Sequence, residues 1–257
     1  MSIPLEFLKL TEEQIAELPP LELAKLIALL DAEQKIQSTT VLYRLFPETG
    51  PLSRHKYPKH MEFFKAGAKH QERAFIAANR VGKTMAACYE LSCHLTGYYP
   101  KWWEGRKFYE GNTAWASGED SKSVRESLQQ TLLGKPGEPG TGLLPAESII
   151  NITPRAGVPD AVDIVTVKHS SGGTWRLVFK SYDQGRESFQ ASKVAIVLFD
   201  EEPPLQIYTE GLTRTMSTVP GQPSGIVMST FTPLKGLSGV VLSFMPGGQR
   251  VEGEIAN

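Results

Sequence analysis

The chain has 257 residues, 40% of them hydrophobic and 21% charged, with a formal net charge of −1. That is enough to bury a sizeable core, in one large domain or two small ones. The charge balance excludes a whole-chain basic field, so any DNA contact has to be a local patch. No apolar run approaches the ~20 residues that cross a bilayer, and the first residues do not read as a signal peptide, so no membrane partner is expected.

In chain order, Thr11-Glu12-Glu13-Gln14 reads as a capping box that opens a short helix. Pro19-Pro20 stops it and starts another. Leu23, Leu26, Ile27, Leu30 and Ile36 recur at helical spacing, which predicts an amphipathic second helix. Residues 1–50 thus form a helical segment of separate character. It either packs on the main body or serves as a docking handle for a partner protein. Pro47, Gly50, Pro51 and Pro58 punctuate a loop over 46–58, and a helix is expected after Pro58. In nucleotide-binding α/β domains the segment ahead of the first strand often lies beside the adenine. Tyr57 is therefore a candidate to stack on a base, with Arg54 or His60 as hydrogen-bond partners. A core tyrosine and a solvated histidine are the equal alternative.

The strongest local signal follows. The apolar run Ala74-Phe75-Ile76-Ala77 leads into Ala78-Asn79-Arg80-Val81-Gly82-Lys83-Thr84, and a helical pattern begins at Met85. Strand, tight turn and helix with Gly-Lys-Thr at the helix start suit a phosphate. Backbone N–H groups of the turn converge on one anion, and the helix N-terminus adds partial positive charge. Lys83 would reach the β- and γ-phosphates, and the Thr84 hydroxyl would hold Mg2+. Ala77 departs from the pattern, which has Gly there. A loop that merely uses Gly82 at a helix start is the bland alternative. Cys88 and Cys93 on the following helix fit no metal spacing and read as reduced packing residues. Gly97 marks a C-cap, with Pro100 beyond it, and Trp102-Trp103 read as packing aromatics.

Asn112 to Ser117 reads as a second strand and Ser121 to Leu133 as a helix carrying Arg125. Gly and Pro make 134–146 a surface excursion. Val165 to Lys168 and Thr174 to Lys180 form a hairpin, since Trp175, Leu177 and Phe179 alternate with polar neighbours. Ser181 to Gln190 is a polar loop. Val194 to Phe199 is apolar without alternation, as in a strand buried on both faces, and it ends in Asp200-Glu201-Glu202. Carboxylates at that strand edge lie where open α/β sheets bind ligands. Asp200 would hold Mg2+ together with Thr84, and Glu201 would polarise the water that attacks the γ-phosphate. Glu202 is a supporting or a solvated charge. Gly225 to Pro233 is a further buried strand whose terminal hydroxyls either face the γ-phosphate or cap their own backbone.

Taken together, these pieces resemble the N-terminal ATPase domain of bacteriophage large terminase subunits, the motors that pump DNA into procapsids. The match runs from about Tyr57 to Ser243. It is carried by 78–84, by Phe179-Lys180-Ser181-Tyr182-Asp183-Gln184-Gly185, by Phe199-Asp200-Glu201-Glu202-Pro203-Pro204, and by Thr230-Phe231-Thr232-Pro233-Leu234-Lys235-Gly236. A degenerate first loop position and an arginine inside the loop are usual in that family. The resemblance implies a RecA-like α/β core, with a mainly parallel central sheet flanked by helices, plus the small N-terminal helical segment. It also puts the loop and Asp200-Glu201 on neighbouring strands. Residues 51–246 would be the P-loop ATPase domain, and 247–257 the start of a linker to a nuclease not contained here, so no nuclease activity is expected. ATP and Mg2+ are the implied cofactors. Arg80 would act near the γ-phosphate, and 229–232 would couple hydrolysis to movement. An arginine acting in trans is expected, with Arg214, Arg125 and Arg186 as candidates. The implied partners are double-stranded DNA, portal protein, the small terminase subunit and further copies in a ring on the procapsid, in the host cell cytoplasm. A helicase-like P-loop translocase and a nucleotide-binding assembly module with little turnover stay open as alternatives. Strand separation would mark the first, and absence of turnover at any concentration the second.

Overall fold

The structure is a computed structural model that describes residues 11, 14, 15, 17–190, 193–217, 223–234 and 236–245, with the backbone alone for 32–39. The expected linker at 247–257 lies outside the described residues, as do Glu12, Glu13 and Lys235 and the side chain of Ile36.

Seven strands form one sheet: β1 Glu72–Ile76, β2 Thr113–Gly118, β3 Ile149–Pro154, β4 Val162–Lys168, β5 Thr174–Ser181, β6 Ile196–Asp200 and β7 Ile226–Phe231. Their spatial order is β1-β7-β6-β2-β5-β4-β3. The first five in that order run parallel, and β4 and β3 add antiparallel at one edge. The principal helices are α1 Pro20–Thr39, α2 Pro58–Ala66, α3 Lys83–Thr96, α4 over 121–133, α5 Leu205–Thr215 and α6 Gly239–Ser243.

Strand side chains alternate between two apolar layers. Ala114, Ala116, Ile196, Leu198, Ile226 and Met228 face α2, α3 and α4, where Phe63, Phe64, Leu91, Leu95 and Leu128 meet them. Trp115, Val197, Phe199 and Val227 face α5 and α6, against Ile207, Tyr208, Val240 and Val241. Helices on both faces explain why β6 and β7 show no apolar/polar alternation: every residue of both strands is buried, Ser229, Thr230 and Asp200 included. Truncating Phe199 to alanine at this centre would cost about 3–5 kcal/mol.

Several local expectations hold. Thr11 and Gln14 form the capping box, with Thr11 N–H donating to Gln14 Oε1 at 2.9 Å and Gln14 N–H to Thr11 Oγ1 at 3.3 Å. Pro58 stands at the first position of α2. Gly97 ends α3 in the left-handed region, at φ 72°. Cys88 and Cys93 are buried free thiols, and Trp103 is buried in the core.

Two expectations need correction, and one strand went unread. The loop strand β1 and the acidic strand β6 are not neighbours, because β7 lies hydrogen-bonded between them. Sequence order does not reveal which strand a crossover inserts. The apolar stripe of α1 is only partly covered: Leu26 is buried, whereas Ile27 and Leu30 are 50% and 47% exposed. The unread strand is β3, which pairs with β4 although its own pattern is mostly exposed, as an edge strand allows. Helix α4 also departs from regularity, since Val124–Gln129 widens to π-helical turns, a feature common near functional sites.

Candidate nucleotide site

β1 passes its chain into the loop 77–82, and Gly82 caps α3 from the left-handed region at φ 86°. A side chain there would be strained, and its Cβ would stand 3.2 Å from His60 Nε2. Arg80 adopts φ 66° in the same loop. Ala78, Asn79, Arg80, Val81 and Gly82 are exposed, whereas Lys83 is buried. The Lys83 ammonium donates to the carbonyls of Ala77 (3.0 Å) and Ala78 (2.8 Å) and to Thr232 Oγ1 (2.9 Å). Thr232 Oγ1 also lies 2.9 Å from Ala77 O and 2.7 Å from Asn79 Oδ1. The loop and the end of β7 are thereby tied together. Burial pulls the Lys83 pKa down, while the charges of Glu201 and Asp200 oppose that shift.

Asp200 ends β6 and is 7% exposed. Its Oδ1 accepts from Thr84 Oγ1 at 2.7 Å and Thr230 Oγ1 at 2.8 Å. Ser127 Oγ, from the π-helical part of α4, stands 3.5 Å from Oδ2. Burial raises the Asp200 pKa, and the three hydroxyls and the Lys83 charge offset only part of that. Glu201 follows at the rim with φ 62°. A left-handed residue that carries a Cβ costs about 1–3 kcal/mol, and such strain concentrates at functional sites. Partial burial and then the Asp200 charge push its carboxyl up, against Lys83 and the Thr232 N–H that bonds it. Glu202 turns inward, largely buried, and its Oε2 has no hydrogen-bond partner among the described residues.

The structure therefore brings Lys83, Thr84, Asp200, Glu201 and Thr232 to one end of the parallel sheet, at the carboxyl edge. Ser229 does not join them; it is fully buried, and its hydroxyl is unbonded among the described residues. Tyr57 lines an apolar cleft of about 150 Å³ beside the loop, with Phe46, Leu52, His60, Val81 and Met85. His60 is buried there and touches Phe46, Tyr57 and Phe75, which corrects the solvated alternative. Burial lowers its pKa. Arg54 does not face this cleft, because it pairs with Glu48. Arg186 and Arg214 both bond Glu210, at 3.0 and 2.8 Å. Arg125 donates to Pro159 O at 3.3 Å. None of these three bonds a residue of the lysine–aspartate cluster. Sequence reading did not assign Thr230 to Asp200 or bring Ser127 to it. A period-2 reading from Thr232 back to Thr230 was the available signal for the first.

Comparisons with known proteins now bear on this geometry. Residues 74–249 match the family model described as terminase large subunit, T4likevirus-type, N-terminal. The large terminase subunit of Salmonella phage P22 is 38% identical over 244 residues, covering 87% of this chain and 46% of the relative. The chain thus spans about half the length of the curated relative it matches. Among solved structures, the large terminase of thermophilic bacteriophage D6E aligns with TM-score 0.48 at 12% identity, over 68% of this chain and 38% of that one. A variant of the large terminase ATPase domain from Thermus phage P74-26 aligns with TM-score 0.46 at 15% identity, over 76% of each chain. The family match covers well over half of the chain and is joined by a relative 38% identical, so the chain belongs to the terminase large subunits, in their N-terminal region.

Proposed function

We propose that this chain is the ATP-hydrolysing motor domain that drives double-stranded DNA into procapsids. The observation that carries the reading is the 2.7 Å contact between Thr84 and Asp200, two residues 116 positions apart in the chain. It ties the start of the helix after the glycine loop to the end of the acidic strand, which supports a shared site. The residues 78–84 would wrap the phosphates with backbone N–H groups, and Lys83 would exchange its carbonyl partners for the β- and γ-phosphates. Arg80, exposed in the same loop, would offset charge on the γ-phosphate. Tyr57 would stack on the adenine in the apolar cleft beside Gly82.

Thr84 and Asp200 fit Mg2+. Among the described residues, Asp200 Oδ2 has only the Ser127 contact, at 3.5 Å. Mg2+ takes few protein oxygens and fills the remainder with water and phosphate. When bound it would neutralise phosphate charge. Glu201 would orient the attacking water and accept its proton. Thr232, bonded to both Lys83 and the loop, would register loss of the γ-phosphate and pass it to β7.

The proposed partners are portal protein, the small terminase subunit and copies of this chain in a ring, in the host cytoplasm. Among the described residues no helix is long and apolar enough to cross a membrane. Turnover measured against protein concentration tests the reading. Mg2+-dependent ATP hydrolysis that rises per subunit with concentration supports it, as does its loss in Lys83→Ala. Turnover that survives Lys83→Ala overturns it.

A further inference from the structure

Tyr182 stands just past the end of β5, with its ring against Phe199 of β6 at 6.1 Å between centroids. It is 7% exposed. Its hydroxyl lies 2.9 Å from Asp200 O and 3.0 Å from Glu201 O, with Ser117 O farther away at 3.5 Å. One O–H proton thus serves two successive carbonyls of the acidic segment.

Those carbonyls flank the point where β6 ends and Glu201 takes its left-handed conformation. From the other side the Glu201 N–H donates to Thr230 O at 2.8 Å. The turn is clamped between β7 and Tyr182, and conformations of this kind persist only where surroundings over-determine them. The turn that carries the tyrosine is tied locally: Ser181 Oγ donates to Asp183 Oδ1 at 2.5 Å, and the Gly185 N–H to Tyr182 O at 3.0 Å.

We propose that Tyr182 is a positioning residue for ATP hydrolysis, its hydroxyl holding the Asp200–Glu201 peptide in the turn that aims the Glu201 carboxylate at the attacking water. The inference rests on the role proposed for Glu201. Tyr182 touches no substrate and acts through that backbone.

The test is Tyr182→Phe, which keeps the ring and removes the hydroxyl. Its kcat is expected to fall about 10- to 100-fold, because small misplacements of a reacting group cost that much. KM and the affinity for an ATP analogue stay within about twofold, since ground-state binding is untouched. In a Glu201→Gln background the second change lowers residual turnover by less than about twofold, as expected of residues acting as a unit. Tyr208→Phe is the matched control. It removes a buried hydroxyl that donates to Glu72 Oε2 at 2.8 Å and should leave kcat unchanged. Hydrogen exchange over 199–205 reads the backbone whether or not the chain turns over, and it should quicken in Tyr182→Phe. A wild-type kcat, equal losses of binding and turnover, multiplying effects with Glu201→Gln, or unchanged exchange each overturn the proposal. Wild-type turnover in Glu201→Gln would instead remove the role of Glu201 on which it rests.

Discussion

Two buried carboxylates of this molecule have opposite surroundings. Glu90, in the middle of α3, is fully buried and pairs with Arg73 of β1, while His94 lies 3.1 Å away. Burial alone would raise its pKa, but Arg73 and His94 outweigh that and hold the carboxyl below its ordinary value. Asp200 is nearly as buried, yet it meets only hydroxyls, and its pKa is raised. Glu90 is a neutralised charge that fastens the loop helix to the loop strand. Asp200 is a buried charge at the sheet edge with no ion-pair partner in bonding distance among the described residues, only partly offset by the Lys83 charge, a perturbed carboxylate of the kind found at functional sites. Burial of a charge is therefore no guide to function until its partners are counted.

Substitutions sharpen that contrast, beginning with the strongest. Glu201→Gln should lower kcat by about 10²–10⁴-fold while leaving affinity for an ATP analogue unchanged, as read by turnover and nucleotide titration. Glu90→Gln should do the reverse. It strands Arg73, costs about 3–5 kcal/mol and lowers Tm by roughly 6–20 °C. Because the folded Glu90 pKa is depressed, its stabilisation is complete above the ordinary carboxylate value and is lost as pH falls through the depressed one. Acid unfolding curves of Glu90→Gln should lack that limb. Tyr57→Ala should weaken nucleotide binding by about 1–3 kcal/mol if the ring stacks on the base. The smallest effect is expected from Asp200→Asn in EDTA at neutral pH. Two of the three hydroxyls that bond Asp200, those of Thr84 and Thr230, donate to Oδ1, which asparagine keeps; only Ser127, at 3.5 Å, faces Oδ2. The folded Asp200 pKa is raised, so stability falls as pH climbs through it, and the amide removes that fall. Tm should rise slightly, and a large drop would break the comparison.

Much of this was legible in the chain. The unbroken apolar run before Asp200 and the apolar start of β7 announced buried strands, and Gly82-Lys83-Thr84 announced the helix start. The carboxylates after Phe199 announced the sheet edge. The order of strands was not legible, since the insertion of β7 between β1 and β6 depends on long-range pairing rather than on local pattern. β3 escaped because an exposed edge strand with Asn151 and Thr153 shows no clean alternation. The hydroxyls of Ser127 and Tyr182 became visible only once α4 and the end of β5, two strands from β6, were brought to the same sheet edge as Asp200. The helical spacing of α1 was correct, but spacing alone did not say that Ile27 and Leu30 would stay exposed.

The central claim is that Thr84 and Asp200 share one cation in the nucleotide pocket. Electron paramagnetic resonance of Mn2+, standing in for Mg2+, tests it with an ATP analogue present. The account predicts a bound Mn2+ signal in the wild-type ternary complex and its loss in both Thr84→Ala and Asp200→Asn. A bound signal that persists unchanged in both variants would contradict it.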